Sequence, residues 1–244
     1  MSKSSLTISL NEVLFYFTRA GFGVNASIGV SEDFARSNIW IAQNGFDPSE
    51  CSLLALDNLD SQTSSLSIQF EKTGDGSHLF CPEDRVLSAI EASVSCVDWL
   101  EFNGFDGDLK VTNVDSPLLV VSALGANQCT GIHVSWTDKS NNHYEVNLKD
   151  DIEWEIISSS ETPIELSNYA DIHISALDVN NKTSISNGKL KTLNIAEERL
   201  KTLNNGVNVG DKWPDIYEYF SRCLVKSSAE SRASGAGAGL VDTD

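Results

Sequence analysis

Positive charge is scarce in this chain of 244 residues: 17 lysines and arginines face 35 aspartates and glutamates, for a formal net charge of −18. No Lys or Arg cluster occurs, which excludes nucleic acid as a partner, because phosphate backbones are bound by concentrated positive charge. The acidity bears on solubility and not on chemistry. Long apolar runs are missing too. The longest, such as Leu118 to Leu124, fall far short of the roughly 20 residues that cross a bilayer, so no membrane partner is expected. The stretch from Met1 to Leu6 has neither an apolar signal core nor a small-residue cleavage site, and the expected location is cytoplasmic. Cys51, Cys81, Cys96, Cys129 and Cys223 are odd in number and have no close paired spacing. That pattern suits reduced, mostly buried thiols and not a disulfide framework or a zinc site. A serine elbow, a phosphate-binding loop and a paired-carboxylate motif are also lacking, and no cofactor is specified.

What the chain does have is a hydrophobic content of 41% and enough length to bury a substantial core. Ser9-Leu10-Asn11-Glu12 has capping-box spacing, and Leu10, Val13, Leu14, Phe17 and Ala20 follow it as one apolar stripe ending at Gly21 to Gly23. Phe15 and Tyr16 lie off the stripe, so a second element or subunit is expected to cover this helix. Ser31-Glu32-Asp33 predicts the start of a second helix closing at Asn44-Gly45, and Ser49 to Leu59 a third. From Leu66 the period changes, apart from a short helix expected between Pro82 and Val94. Ile132, Val134 and Trp136, then Tyr144, Val146 and Leu148, then Ile152, Trp154 and Ile156 alternate with polar residues, as half-buried strands do. Ile172, Ile174 and Ala176 make another. Helical spacing returns over Asn194 to Leu203 and Pro214 to Val225. The expected architecture is one α+β domain, with an N-terminal helical unit (1–60) and C-terminal helices (190–226) flanking an antiparallel β-sheet (64–180). A Gly/Ala-rich C-terminal tail (227–244) follows.

Several blocks resemble an uncharacterised bacterial family, the domain of unknown function numbered 3726. They are Ser9 to Val13, Arg19-Ala20-Gly21, Gly29 to Asp33, Trp40, Gly45, Cys81-Pro82, Glu230-Ser231-Arg232, Gly235 to Gly239 and Asp242-Thr243-Asp244. The chain departs from that pattern at Ile28, where the family tends to carry Trp, and at Thr243, where it usually carries Asn. Ile28 weakens any aromatic-lined site there. The resemblance implies no activity.

Four constellations carry candidate chemistry. In the tail, Ser231, Arg232, Ser234 and the amides around Gly235 and Gly237 can wrap an anion; a segment docked on a neighbouring subunit, or a free end, are the alternatives. Arg19, near Glu32 and Asp33, can address a carboxylate, although acidic residues in a first turn ordinarily serve the helix dipole. His133, His143 and His173 lie on polar strand faces and would form a metal site with Glu145 only if their strands paired face to face. Cys81 precedes the helix expected after Pro82, whose N-terminus would favour thiolate. Two functions follow. The first is a protein that binds a small molecule or assembles with itself or a partner, a homo-oligomer for instance, through its tail. The second is an enzyme of small-molecule metabolism acting on an anionic substrate, with Arg19, Arg232 and Cys81 converging on one pocket.

Overall fold

Ser9 opens the first helix as its spacing predicts: the Ser9 hydroxyl accepts from the Glu12 amide while the Glu12 carboxylate accepts from the Ser9 amide at 2.7 Å. The computed structural model describes residues 6–74, 76–83, 85–104, 107–150, 153–159, 161–178 and 189–224, so the Gly/Ala-rich tail lies outside the described residues. Strand β1 (Leu6–Ile8) leads into α1 (Leu10–Gly23). Helix α2 (Ile28–Gln43) begins before the expected Ser31, because Ser27 caps it: its hydroxyl accepts from the Val30 amide at 3.4 Å. Ser31 instead turns its hydroxyl back onto the Ser27 carbonyl at 2.8 Å. Asp47 then caps α3 (Pro48–Asp60).

The sheet region opens with β2 (Ser64–Ser65), β3 (Gln69–Thr73), β4 (Gly76–Phe80) and β5 (Val86–Leu87). The helix expected just after Pro82 starts later, as α4 (Ala89–Asn103), with Ser88 as its cap. Then come β6 (Asp108–Val114), α5 (Pro117–Ala126), β7 (Ile132–Thr137), β8 (His143–Leu148), β9 (Glu153–Ser158) and β10 (Ala170–Ala176). The chain closes with β11 (Lys189–Asn194), α6 (Ile195–Asn205), β12 (Val207–Val209) and α7 (Trp213–Ser221).

The result is an α+β architecture in which N-terminal and C-terminal helices flank a central sheet. Ten strands join it, eight in the order β11, β9, β8, β7, β10, β6, β4, β3, with β5 also paired to β6 and β2 paired to β5; β1 and β12 form a separate antiparallel pair. The pairings from β11 to β6 are antiparallel, while β4 and β5 run parallel to β6, an arrangement that needs a crossover and finds it in α4. Alternation sorts the faces: Ile132, Val134, Trp136, Tyr144, Val146, Ile172 and Ile174 are buried in the core, while His133, Ser135 and Asn147 stay partly exposed on the other side.

Helix α5 contains the apolar run that sequence periodicity does not resolve. It is hydrophobic on every side, and Pro117 to Leu124 are all buried, as an enclosed core helix requires. Among the described residues no helix is long and apolar enough to cross a membrane. The cover expected over the second face of α1 is α7, where Tyr16 packs edge-on against Trp213 and Phe220 with ring centroids 5.0 and 4.7 Å away.

Asp115, directly after β6, is fully buried and ties the sheet to two helices. It accepts from the Ala89 amide in the first turn of α4 at 2.8 Å and from the Asn58 side chain of α3 at 3.4 Å. Burial pushes its pKa from 3.8 up to about 6, and the amides of Ala89 and Asn58 offset only part of that rise. Ser64 lies close enough to offset a little more, yet its hydroxyl makes no hydrogen bond of normal geometry. Because the folded chain holds this proton more tightly than the unfolded chain, the contribution to stability is complete below about pH 4 and is lost as pH rises through about 6. Asp115→Asn, neutral throughout, is expected to match the parent below about pH 4 and to exceed it above about pH 7 by up to roughly 3 kcal/mol. Denaturant titration at the two pH values checks this; a difference that does not change with pH would contradict it.

Candidate functional site

The last turns of α2, the end of α5, the end of β8 and α6 enclose a cavity of about 260 Å³. Trp40 forms its inner wall. The indole sits directly on Gly125, where an added Cβ would come within 2.3 Å of the ring. Behind it, Trp154 of β9 packs with its ring centroid 4.8 Å from that of Trp40. The Trp154 indole N–H donates to Asn44 Oδ1 at 2.7 Å, and Asn44 Nδ2 donates to the Trp40 carbonyl at 2.8 Å. Asn44 is itself buried, so the C-terminal end of α2 is fixed to the sheet by hydrogen bonds with no competing water.

Two guanidinium groups line the cavity, Arg36 on α2 and Arg199 on α6. Arg36 is paired within its own helix, 2.5 Å from Asp33 and 3.9 Å from Glu32. Arg199 donates to the Gln43 side-chain carbonyl at 3.2 Å and has no carboxylate partner among the described residues. In a chain with twice as many acids as bases, that is a conspicuous positive charge. Opposite character comes from Asp150, whose carboxylate accepts from the Glu153 amide at 2.7 Å, and from the carbonyl end of α5 at Gly125 and Ala126. Cys129 also lines the cavity, but burial, with Glu101 assisting, pushes its thiol up to about 11, so it is not a nucleophile at neutral pH.

The residues singled out from sequence are dispersed. Arg19 stacks over Phe15, 3.7 Å from the ring centroid, and donates to the Phe15 carbonyl; Glu32 and Asp33 turn to Arg36 instead. Cys81 is buried just beyond β4, and the helix expected to follow it directly begins only after the Ser88 cap of α4. Neither Arg19 nor Cys81 lines this cavity. The sheet register sets His133 opposite Asn147 and Ser175, His143 opposite Thr137, and His173 opposite Ser135 and Lys110. His133 bonds Asn147 at 2.8 Å, His143 bonds Thr137 at 2.8 Å and lies 3.5 Å from Glu145. No group of three or more His, Cys, Asp or Glu among the described residues is placed to hold a metal. Ser231, Arg232, Ser234, Gly235 and Gly237 lie outside the described residues. Arg36 and Arg199 were not singled out from sequence, where Arg36 reads as an ordinary i,i+3 and i,i+4 surface pair with Asp33 and Glu32.

No family model and no curated protein matches the sequence. Solved structures do match in fold. Malate dehydrogenase from Pyrococcus horikoshii OT3 aligns with a TM-score of 0.61 at 8% identity, over 93% of this chain and 98% of that one. Malate dehydrogenase from Entamoeba histolytica aligns at 0.57 and 7% identity, over 92% and 100%. The delta1-piperideine-2-carboxylate reductase from Pseudomonas syringae aligns at 0.54 and 9% identity, over 88% and 99%. At such identities the likeness is one of fold. It nevertheless corrects the expectation of an uncharacterised family of unknown function, because the architecture is shared with dehydrogenases and a reductase.

The Trp40 seat gives a direct mutational test. Gly125→Ala forces a methyl into the indole, and a loss of about 1–3 kcal/mol in unfolding free energy is expected, as for other overpacked cores. Denaturant titration followed by tryptophan fluorescence measures it. Unchanged stability and emission would mean that the indole does not rest on Gly125.

Proposed function

We propose that the protein is an enzyme of small-molecule metabolism whose substrate is small and anionic, with its carboxylate held between Arg36 and Arg199. The observation that carries this reading is the Arg199 guanidinium, lining a cavity and bonded only to a neutral side chain. A guanidinium offers paired donors matched to a carboxylate, and Arg199 has donors left after Gln43. The fold supports the enzyme class, since two of the similar structures are named for malate and one for piperideine-2-carboxylate, all of them acids.

Within the cavity each residue has a physical task. Gln43 holds Arg199 toward α2, Trp40 and Leu148 supply apolar walls, and Asn44 with Trp154 keeps Trp40 from turning. A hydride carrier of dinucleotide size does not fit here. The cavity, about 260 Å³, is smaller than the roughly 300–1,000 Å³ of sites for drug-sized ligands, and the one glycine facing Trp40 is covered by its ring. The role of this cavity is to bind substrate.

A panel of small carboxylic acids titrated calorimetrically tests the reading. A binder is expected whose affinity falls at least about tenfold in Arg199→Gln, the loss of one charge-assisted contact. Because Arg199 is exposed, the unfolding temperature of that variant should stay at the parent value. Binding indifferent to Arg199, or none across the panel, would contradict the proposal.

A further inference from the structure

We infer that α6 is a closing element for this cavity: it rolls about its own axis and carries Arg199 inward under a cover of Leu200 and Leu203. The inference rests on the anion-binding reading of Arg199 and gives that side chain a movable mount. Among the described side chains of α6, Thr202 alone is buried, at 8% exposure. Its hydroxyl donates to the Ala42 carbonyl of α2 at 3.1 Å, and Arg199 adds its bond to Gln43. Cavities lie on both flanks of this seat. Arg199 lines the one of about 260 Å³, while Lys201, Thr202 and Asn205 line another of about 290 Å³. A helix with a cavity on either side and one buried side chain beneath it has room to turn. Leaving the seat orphans no polar group. The Thr202 hydroxyl has the Glu198 carbonyl of its own helix 2.9 Å away as a second acceptor, and the Ala42 carbonyl also takes the Gly45 amide at 3.1 Å.

Both ends of α6 are held by strands. Strand β11 pairs with β9 as far as Asn194, and β12, paired with β1, begins directly after Gly206. Gly206 has a left-handed φ of 76° and lies so close to β1 that an added Cβ would come within 2.6 Å of Thr7 Cγ2. Fixed ends leave rotation about the helix axis as the free movement. The helical period sets what each direction of rotation buries. From Thr202 outward, the flank that bears Arg199 continues through Leu203, one turn along from Arg199, to Leu200. Both leucines stand in solvent, Leu203 at 64% exposure and Leu200 at 61%. Rolling that flank toward the cavity covers the two leucines and carries the guanidinium inward, an exchange that apolar burial favours.

Calorimetric titration of the full chain with L-lactate and with succinate, a monocarboxylate and a dicarboxylate, reads the movement through Leu200 and Leu203, which do not line the cavity. Leu200→Ser and Leu203→Ser remove the cover and should each weaken binding by at least about threefold. Their unfolding temperatures should stay at the parent value, because both leucines are in solvent. Thr202→Val gives up the bond to Ala42 and should tighten binding by about threefold. A general loss of packing does not produce opposite signs on one helix. Amide exchange over residues 196–205 should slow when either acid is added to the parent, and not in Leu203→Ser. If Arg199→Gln weakens binding while both leucine variants bind like the parent, the movement is overturned and the anion site stands. If the leucine variants and Arg199→Gln all bind like the parent, both fail. Failure of both acids to bind the parent counts against both as well.

Discussion

The hydrogen bond from the Trp154 indole to Asn44 is the constraint on which the site depends. It joins the sheet to the end of α2 at a point from which water is excluded, and the second Asn44 bond, to the Trp40 carbonyl, carries that constraint one turn back along the helix. Trp40 is thereby pressed onto Gly125, which lets α2 and α5 approach closely. A side chain at position 125 would part the helices. Arg36, Ile39 and Gln43 of α2 line the cavity beside that contact.

Charge is distributed with the same economy. Of the arginines in described positions, Arg85 donates to backbone carbonyls and pairs with Glu83, Arg222 grips Asp60 with two nitrogens, and Arg19 lies on an aromatic ring. Each of those has a structural occupation. Arg199 differs in having a neutral partner and a concave setting. In an acidic chain a cation without a carboxylate stands out, since nearby acids would otherwise be drawn to it. The polar face of the sheet shows the contrasting case, where His133 and His143 are satisfied by cross-strand neighbours.

Much of the fold is legible in the sequence where one physical signal acts alone. The capping box at Ser9 and Glu12 forms as its spacing requires, and the alternation through Ile132, Val134 and Trp136 places β7 with the correct face inward. Where two signals compete, the sequence misleads. Ser31 looks like a cap because acidic residues follow it, but Ser27 has the extended backbone that a cap needs. The onset of α4 is displaced for a similar reason: Pro82 suggests a first turn, whereas Ser88 supplies the hydroxyl that accepts from the Ile90 amide. That displacement is why Cys81 looked reactive. Helix α5 has no apolar stripe because it is enclosed on all sides, so periodicity has nothing to report. The site itself is less legible still. Arg36 and Arg199 line one cavity only because α6 packs against α2, and that contact is set by long-range packing and not by local pattern. Trp40 stood out only through the family resemblance, and its seat on Gly125 is invisible without the fold.

The most direct measurement is side-chain NMR of the arginine Nε–H and glutamine amide groups during titration with a small carboxylate. The Arg36 and Arg199 Nε–H signals and the Gln43 amide are expected to shift together and saturate at one concentration, while Arg85 and Arg222 stay in place. Shifts confined to Arg85 or Arg222, or no saturable shift at Arg199, would show that the cavity between α2, α5 and α6 is not where this protein meets an anion.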